Sequence, residues 1–408
     1  MKFAEILRLN EISCFFVISA TGPMLLNPQR YRMKLPTLVL LCLVLAVSML
    51  FFFAASKCLA QASSIDSNQS AKSQSRKHSS ELRLGKSHQR AEEQVGFEYV
   101  EDGPDFRKLK VPTYEWIPRG FSEDLRGVII FVHGLTLHGK TYALAGKAFA
   151  TGNFYAVSSD MRGFGRCFRD EKNQFGKKKI DYEASYTDLV ELVKIVRDKH
   201  PGTRLIIVGE SLGATPCLRL ASQHPEFIDG IILSGPAVTV NPMMLFHPRS
   251  LIAGFRGLVI DPRFNVNLGF FMRKLVSQDS RIVEELESDP LIRKSMTIRD
   301  LLKTDAYVSK NVKYARSLKP GVPLLILQGS KDKCVVPKRV TKLLGVISSD
   351  DQTLRWMQHL SHLLLETKYI KPGTVSAIAS WIDAHEPEYQ KELLNLDEDL
   401  KKLGAEAL

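Results

Sequence analysis

The chain has 408 residues, of which 44% are hydrophobic, 9% aromatic and 25% charged, and these fractions exclude a fully disordered, collagen-like or multi-span membrane protein. Its 56 Lys and Arg against 44 Asp and Glu leave a net charge of +12, a balance that suits nucleic acid, anionic lipid or an acidic substrate. The basic residues are scattered and accompany no nucleic-acid motif, so we expect no nucleic-acid partner.

A long hydrophobic run stands near the N-terminus. Residues 35–55 read LPTLVLLCLVLAVSMLFFFAA, carry no charge and are long enough to cross a bilayer as a helix. Basic residues precede the run and only Lys57 follows it closely, so the positive-inside bias predicts an inside N-terminus and an exported body. We therefore predict an N-terminal leader at 1–34 and a transmembrane signal anchor, or the hydrophobic region of a signal peptide, at 35–56.

A cleaved signal peptide is the alternative to a retained anchor. Residues 60–62 read Ala-Gln-Ala, a small-residue cleavage pattern, and Met33 would be a suitable start for such a signal. The anchor predicts a membrane-bound protein with its folded body exported, whereas cleavage predicts a secreted or periplasmic protein.

A polar spacer separates this region from the body. Residues 57–95 are rich in Ser, Gln, Lys, Arg and His, cannot bury a core and are predicted to be a disordered linker. The folded domain is predicted at 96–390, followed by a C-terminal tail at 391–408. Within the domain, helical periodicity alternates with short apolar runs, which lie at 128–132, 154–159, 205–208, 231–233, 324–327 and 353–358. This alternation predicts an α/β fold, a mostly parallel central sheet with helices on both faces.

One interval interrupts the alternation. Between about 236 and 320 no clear strand of the sheet is evident, and the segment is rich in Phe, Met and Leu with arginines among them. We interpret it as a mostly helical cap insertion that lies over the sheet.

Neither the spacing of the cysteines nor any sequence motif indicates a metal or cofactor site. None of the six cysteines has CxxC spacing, and we interpret the three in the body, Cys167, Cys217 and Cys334, as buried or free thiols. No HExxH or phosphate-loop pattern is present, so we expect neither a metal nor an organic cofactor.

A Gly-x-Ser-x-Gly motif stands at 209–213, where the chain reads Gly-Glu-Ser-Leu-Gly. It follows the apolar run at 205–208 and opens a helical stretch, which is the strand–turn–helix context of a nucleophile elbow. Small flanking residues permit the tight turn, and the helix N-terminus adds a positive dipole. The motif predicts Ser211 as a nucleophile, which needs a base because a serine hydroxyl is weakly nucleophilic at neutral pH.

An acid and two candidate bases follow in the order that this architecture uses, serine then acid then histidine. Asp332 lies in the loop after the apolar run at 324–327. The next run, at 353–358, leads into His359 and His362, and the residues by themselves leave both histidines open as the base.

Acyl transfer also needs donors for the oxyanion. One is expected from the N–H of Leu212, after the nucleophile, and another from the loop after an early strand. Residues 132–136 read Val-His-Gly-Leu-Thr, where Gly134 lets the backbone approach closely and Leu135 supplies an amide. His133 lies at a strand end before the nucleophile, so we assign it to bracing this loop.

The order of these motifs resembles the α/β-hydrolases, and within them the monoglyceride lipase, lysophospholipase and serine-aminopeptidase-like branch. The resemblance covers roughly 97–385 and rests on motifs at 133–134, 139–142, 160–165, 209–213, 288–291 and 325–332. It implies the α/β-hydrolase fold with a helical cap and a triad of Ser211, Asp332 and His362. The choice of His362 follows from alignment, since the family pattern has a glycine three residues earlier, where this chain has His359.

The resemblance implies a serine hydrolase of carboxylic esters, most closely a monoacylglycerol lipase or lysophospholipase, with Leu135 and Leu212 as oxyanion donors. Its partners would be a small lipid or ester substrate and, through the N-terminal hydrophobic segment, a membrane; the oligomeric state stays open. The apolar residues of the cap suit an acyl chain. A serine peptidase of the same branch and a non-catalytic protein with this fold are the alternatives.

Two residues depart from the family pattern. Glu210 stands in the elbow where histidine is common, and Cys167 stands where a small hydroxyl residue is usual. We expect Glu210 to lie beneath the nucleophile and to have a structural role.

Overall fold

The computed structural model describes residues 96–120, 125–172, 174–238, 265–335 and 337–386. The predicted leader, hydrophobic segment, linker and C-terminal tail lie outside these ranges, as do residues 239–264 of the predicted cap. Within the described ranges, no helix combines the length and the apolarity needed to cross a membrane. The anchor and the signal peptide therefore stay predictions.

A large sheet forms the centre of the described domain. The strands are, in chain order, β1 (Gly96–Glu101), β2 (Thr113–Arg119), β3 (Gly127–Val132), β4 (Phe154–Ser159), β5 (Leu205–Glu210), β6 (Gly230–Ser234), β7 (Asn265–Asn267), β8 (Ser295–Thr297), β9 (Leu324–Gly329) and β10 (Gln352–Met357). Eight of these described strands form one sheet in the order β1-β2-β4-β3-β5-β6-β9-β10. β2 is antiparallel to β1 and β4, and the remaining pairs are parallel, so the predicted mostly parallel α/β sheet is confirmed.

The strands differ in how clearly their sequences predict them. β3, β5, β6 and β9 are buried along their whole length and read as continuous apolar runs, as expected for strands covered on both faces. The sequence did not predict β1 and β2. β1 is only partly buried and contains two glutamates, and β2 ends in Pro118 and Arg119, so neither gives an apolar run.

Helices cover both faces of the sheet. They are α1 (Ala143–Ala150), α2 (Gly165–Phe168), α3 (Tyr182–Lys199), α4 (Ala214–Gln223), α5 (Gly269–Phe271), α6 (Ser280–Ser288), α7 (Ile298–Val308), α8 (Asn311–Ala315), α9 (Pro337–Leu344) and α10 (Pro372–Ala384). The alternation of β3 shows the two layers: Ile130 belongs to the core that contains Leu192 of α3, whereas Ile129 belongs to the core that contains Phe149 of α1 and Ile378 of α10.

The described part of the predicted cap is mostly helical. It contains α5 to α8, a π-helical turn at Met272–Val276, and a small antiparallel pair of β7 with β8. This pair was not predicted, because three residues are too few to give a periodic pattern. Arg293 connects this segment to the core, since its N–H donates to the Thr136 carbonyl at 2.9 Å and its guanidinium donates to the Gly163 carbonyl at 2.9 Å.

Candidate active site

Ser211 lies in the turn between β5 and α4. Its φ of 56° is in the left-handed region, a strained conformation for serine of the kind that occurs in a nucleophile elbow. A Cβ on Gly209 would overlap the Gly213 carbonyl, and a Cβ on Gly213 would overlap the Val132 carbonyl. The spacing of the motif is therefore required by the packing of this turn against β3.

Asp332 lies in the turn after β9 and is 5% exposed. Its Oδ1 accepts the N–H groups of Cys334 and Val335, both at 2.8 Å. Its Oδ2 accepts Gln328 Nε2 at 3.0 Å and His362 Nδ1 at 2.8 Å. The turn thus fixes the carboxylate against the imidazole of the residue that the family resemblance selected as the base.

The ring of His362 is buried and paired with Asp332. Since a carboxylate can only accept, Nδ1 carries the proton and Nε2 is the nitrogen left to act as a base. Burial by itself would lower the pKa of His362, but Asp332 outweighs it and raises this pKa well above its usual value, and the Cys334 thiol adds a hydrogen bond. Burial likewise opposes the ionisation of Asp332, yet the charge of His362 holds the pKa of Asp332 below its usual value.

The other candidate base, His359, is exposed and lies apart from Asp332. It lines a separate cleft with Ser277, Asp279 and Lys371, and its N–H donates to Ser330 Oγ at 2.8 Å. Its φ of 61° is in the left-handed region, which favours glycine. That conformation costs about 1 kcal/mol for a residue with a Cβ.

Ser211 and His362 line the same apolar cavity, as do both expected oxyanion residues, Leu135 and Leu212. The structure therefore brings together four of the five predicted site residues at one cavity, and Asp332 joins them through its hydrogen bond to His362. The cap supplies much of the remaining wall, with the side chains of Leu268, Phe271, Met272, Leu275, Val276, Leu286 and Val308.

The loop after β3 approaches the serine closely. A Cβ on Gly134 would lie 3.4 Å from the Ser211 Cβ and 2.9 Å from Glu366 Oε2, so only glycine fits there without a shift. His133 Nε2 accepts the Met161 N–H at 2.9 Å, and its Nδ1 lies 2.8 Å from the Gly134 carbonyl. Burial lowers the pKa of His133 to about 3, so this ring is neutral and braces two loops.

Two buried glutamates lie beneath the site. Glu210 packs under Ser211, as the sequence predicted. No role was predicted for Glu366 from the sequence. Glu210 accepts the N–H groups of Leu364 and Glu366, each at 2.8 Å, and Glu366 Oε2 accepts the Gly134 N–H at 2.9 Å. The available signal was a glutamate closing the apolar run after His362, at a position where a charged group needs a buried partner.

Within the described ranges, no group of three or more His, Cys, Asp or Glu is arranged to hold a metal ion.

The fold and the site together define an α/β-hydrolase. The sheet is mostly parallel, the serine stands in a left-handed turn between strand and helix, and a histidine paired with an aspartate lines the same cavity. Residues 123–368, more than half of the chain, match the model of the family described as "Serine aminopeptidase, S33". The chain belongs to this family, and the predicted branch of the superfamily is confirmed.

Curated relatives carry lipase and phospholipase names. The chain is 24% identical over 277 residues to a monoacylglycerol lipase of Mycolicibacterium smegmatis, which covers 66% of this chain and 91% of that protein. It is 26% identical over 254 residues to the human monoglyceride lipase, and the match covers 61% of this chain and 78% of that protein. It is also 25% identical over 242 residues to the phospholipase YtpA of Bacillus subtilis, and the match covers 58% of this chain and 87% of that protein.

Solved structures share the fold. A soluble variant of the monoglyceride lipase of Saccharomyces cerevisiae in complex with a substrate analogue superposes with a TM-score of 0.56 at 21% identity, covering 73% of this chain and 98% of that one. A carboxyl esterase of Bacillus coagulans in complex with glycerol superposes with a TM-score of 0.55 at 18% identity, covering 71% of this chain and 98% of that one.

Proposed function

We propose that this chain hydrolyses carboxylic esters of lipids, with Ser211 as nucleophile, His362 as general base and Asp332 as the residue that orients the imidazole. The observation that carries the proposal is the 2.8 Å hydrogen bond from His362 Nδ1 to Asp332 Oδ2 beside a cavity that Ser211 also lines. The enzyme class, a carboxylic-ester hydrolase of the monoglyceride-lipase type, is supported by the family and by the names of the curated relatives.

The proposed reaction proceeds through an acyl-enzyme. His362 Nε2 takes the proton of the Ser211 hydroxyl as the oxygen attacks the ester carbonyl, and the N–H groups of Leu135 and Leu212 stabilise the oxyanion. The C–O bond to the alcohol breaks, and the alcohol leaves with the proton from His362. Water then attacks the acyl-enzyme, gives its proton to His362, and releases the carboxylic acid and free Ser211. Each oxyanion donor contributes about 3 kcal/mol of transition-state stabilisation.

The proposed substrate is a medium-chain or long-chain monoacylglycerol or lysophospholipid. The cap side of the cavity presents Leu, Phe, Met and Val side chains, which bind an acyl chain through burial of apolar area. Ser211 and His362 line the same cavity, and the ester carbonyl would lie beside them.

A fluorophosphonate probe followed by a panel of acyl esters tests this proposal. We expect the wild-type protein to be labelled and to hydrolyse esters, and Ser211→Ala to lose both properties while keeping its thermal unfolding transition. Ser317→Ala is the control, because Ser317 is an exposed serine just after α8 and does not line the cavity. A folded wild-type protein that is not labelled would favour the non-catalytic alternative.

A serine aminopeptidase is the second candidate, because the family model carries that description. An aminopeptidase needs an acidic group near the nucleophile to bind the substrate ammonium. Among the described residues that line the cavity there is no aspartate and no glutamate, which favours an uncharged acyl group. Comparing an amino-acid arylamide with a fatty-acyl ester of the same leaving-group class separates the two candidates.

We further propose that the N-terminal hydrophobic segment at 35–56 places the enzyme at a membrane with the domain exported, with secretion after cleavage as the alternative. The uncharged run and the basic residues before it support the proposal. Fractionation of the wild type and Ala60→Arg distinguishes the two: an anchor gives a full-length membrane-bound protein from both, whereas cleavage gives a shorter released protein from the wild type.

A further inference from the structure

The carboxyl group of Glu210 accepts hydrogen bonds from donors on two sides. Its Oε1 accepts Ser234 Oγ at 2.5 Å and the Leu364 N–H at 2.8 Å, and its Oε2 accepts the Glu366 N–H at 2.8 Å. A backbone N–H can only donate, so both oxygens act as acceptors. Burial raises the pKa of Glu210, and the hydrogen bonds from Ser234, Leu364 and Glu366 oppose that rise.

The carboxyl group of Glu366 has a different set of partners. Thr141 Oγ1 lies 2.6 Å from the His138 carbonyl oxygen and 2.9 Å from Glu366 Oε1. The hydroxyl has one proton and the carbonyl has none to donate, so the Thr141 proton serves the shorter contact. The proton in the contact between Thr141 and Glu366 must then come from Glu366.

We propose that Glu366 is a neutral carboxylic acid and a positioning residue for the oxyanion loop. Its Oε1–H donates to Thr141, and its Oε2 accepts the Gly134 N–H at 2.9 Å. Glu210 in turn accepts the N–H of Glu366, so the elbow, the loop after His362 and the loop at Gly134 are joined through two buried carboxyl groups. The catalytic consequence rests on the proposed ester hydrolysis; the protonation state does not.

Ionisation of Glu366 would damage this arrangement. It would remove the donor to Thr141 and place a buried negative charge beside the Glu210 carboxyl group. The ionisable groups that face Glu366 are Glu210, His362 and Tyr142. Burial first and then Glu210 raise the pKa of Glu366 well above its usual value, whereas the contacts with Thr141 and Gly134 and the charge of His362 oppose the rise. The raised pKa agrees with the neutral acid that the contacts of Thr141 indicate, and we expect activity to fall as the pH rises through this pKa.

The test compares Glu366→Gln and Glu366→Ala in the full-length protein. Glutamine retains both contacts, because its amide NH2 donates to Thr141 and its carbonyl accepts from Gly134; alanine leaves both groups unpaired. We expect kcat/KM for a p-nitrophenyl butyrate substrate at pH 7 to fall about tenfold or more in the alanine variant and to be largely restored in the glutamine variant. As the pH rises through the raised pKa of Glu366, kcat/KM of the wild type falls relative to that of Glu366→Gln, because only the wild type can ionise at this position. Glu226→Gln, on an exposed glutamate, keeps the wild-type profile.

Thermal unfolding reports the same protonation without catalysis. A carboxyl whose folded pKa is raised contributes stability at low pH and loses it as the pH rises towards the folded pKa. We expect the Tm of the wild type to fall by about 3 °C relative to that of Glu366→Gln as the pH rises from the usual glutamate pKa towards this raised pKa. Equal pH profiles of Tm and kcat/KM in the two proteins, or a glutamine variant as impaired as alanine, would overturn the inference. If the wild type hydrolyses no ester, the proposed function fails and the Tm comparison still decides the protonation state.

Discussion

The two walls of the cavity are built in different ways. The core wall carries Ser211, His362 and Leu212 on tight turns or loops that directly follow strands, and hydrogen bonds hold each turn. The cap wall consists mainly of apolar side chains, with Thr304 as a polar member. These residues stand on short elements: the three-residue helix α5, the π-helical turn at Met272–Val276, and α6 to α7. The two walls are joined by the hydrogen bond from the His362 N–H to the Val276 carbonyl at 3.1 Å.

This contrast reflects two physical demands. Proton transfer and oxyanion stabilisation depend on atoms placed to within a fraction of an ångström, so the groups that perform them stand on backbone fixed by close packing. Apolar burial is non-directional and depends on area, so a wall of Leu, Phe and Met needs only the right volume. We therefore expect changes in the core wall to alter the rate of the chemistry, and changes in the cap wall to alter which acyl chain is preferred.

The largest effect is expected at the two histidines. His362→Ala removes the proposed base and should lower kcat by about 10⁵-fold or more, as in other enzymes that lose the triad histidine. His359→Ala, three residues away on the same loop, should change kcat by less than about twofold, because His359 lines a different cleft. Both are measured with the same acyl ester; the reverse ranking would move the base to His359.

Asp332→Asn should lower kcat by about 10⁴-fold without unfolding the protein. The carboxylate raises the pKa of His362, and the base must be neutral to act, so wild-type activity falls as the pH drops through that raised pKa. Removing the charge lowers this pKa, so the acidic limb of the residual kcat/KM profile should move to lower pH. An unmoved limb would show that Asp332 does not set the protonation of the base.

Gly235→Ala tests how much displacement the hydrogen-bonded pair of His362 and Asp332 tolerates. A Cβ at Gly235 would lie 3.2 Å from His362 Nδ1 and 3.4 Å from Asp332 Oδ2, so the imidazole must shift. We expect kcat/KM to fall by about 10²-fold. Gly202→Ala is the matched control, because Gly202 also has a positive φ, of 75°, but nothing lies within 4 Å of its Cβ position. Equal losses in the two variants would attribute the effect to backbone strain.

The smallest effect is expected on the cap side. Leu275→Trp narrows the cavity, so kcat/KM for a long-chain ester should fall about tenfold relative to that for a short-chain ester. Leu302→Trp on α7 is the control, because Leu302 is 45% exposed and does not line the cavity. An unchanged chain-length preference in Leu275→Trp would place the acyl chain elsewhere.

The local sequence predicted those features that depend on neighbouring residues. Continuous apolar runs identify buried parallel strands, and the elbow spacing follows from packing among Gly209, Gly213 and Val132. The positions of Ser211 and Asp332 follow in the same way, since each lies directly after such a strand. β1, β2 and the β7–β8 pair escaped prediction because their partly buried or very short sequences carry no apolar run.

By itself, the sequence determined the α/β architecture, the nucleophile elbow and the order of serine, acid and histidine, because these are local patterns of burial and turn geometry. Only the tertiary structure decided which histidine meets Asp332, what covers the cavity and why a second buried glutamate lies below the elbow. Glu366 contacts Gly134 across 232 positions of the chain, and Glu210 contacts Leu364 across 154. Contacts over such separations arise from the folding of the whole sheet, and no local periodicity encodes them.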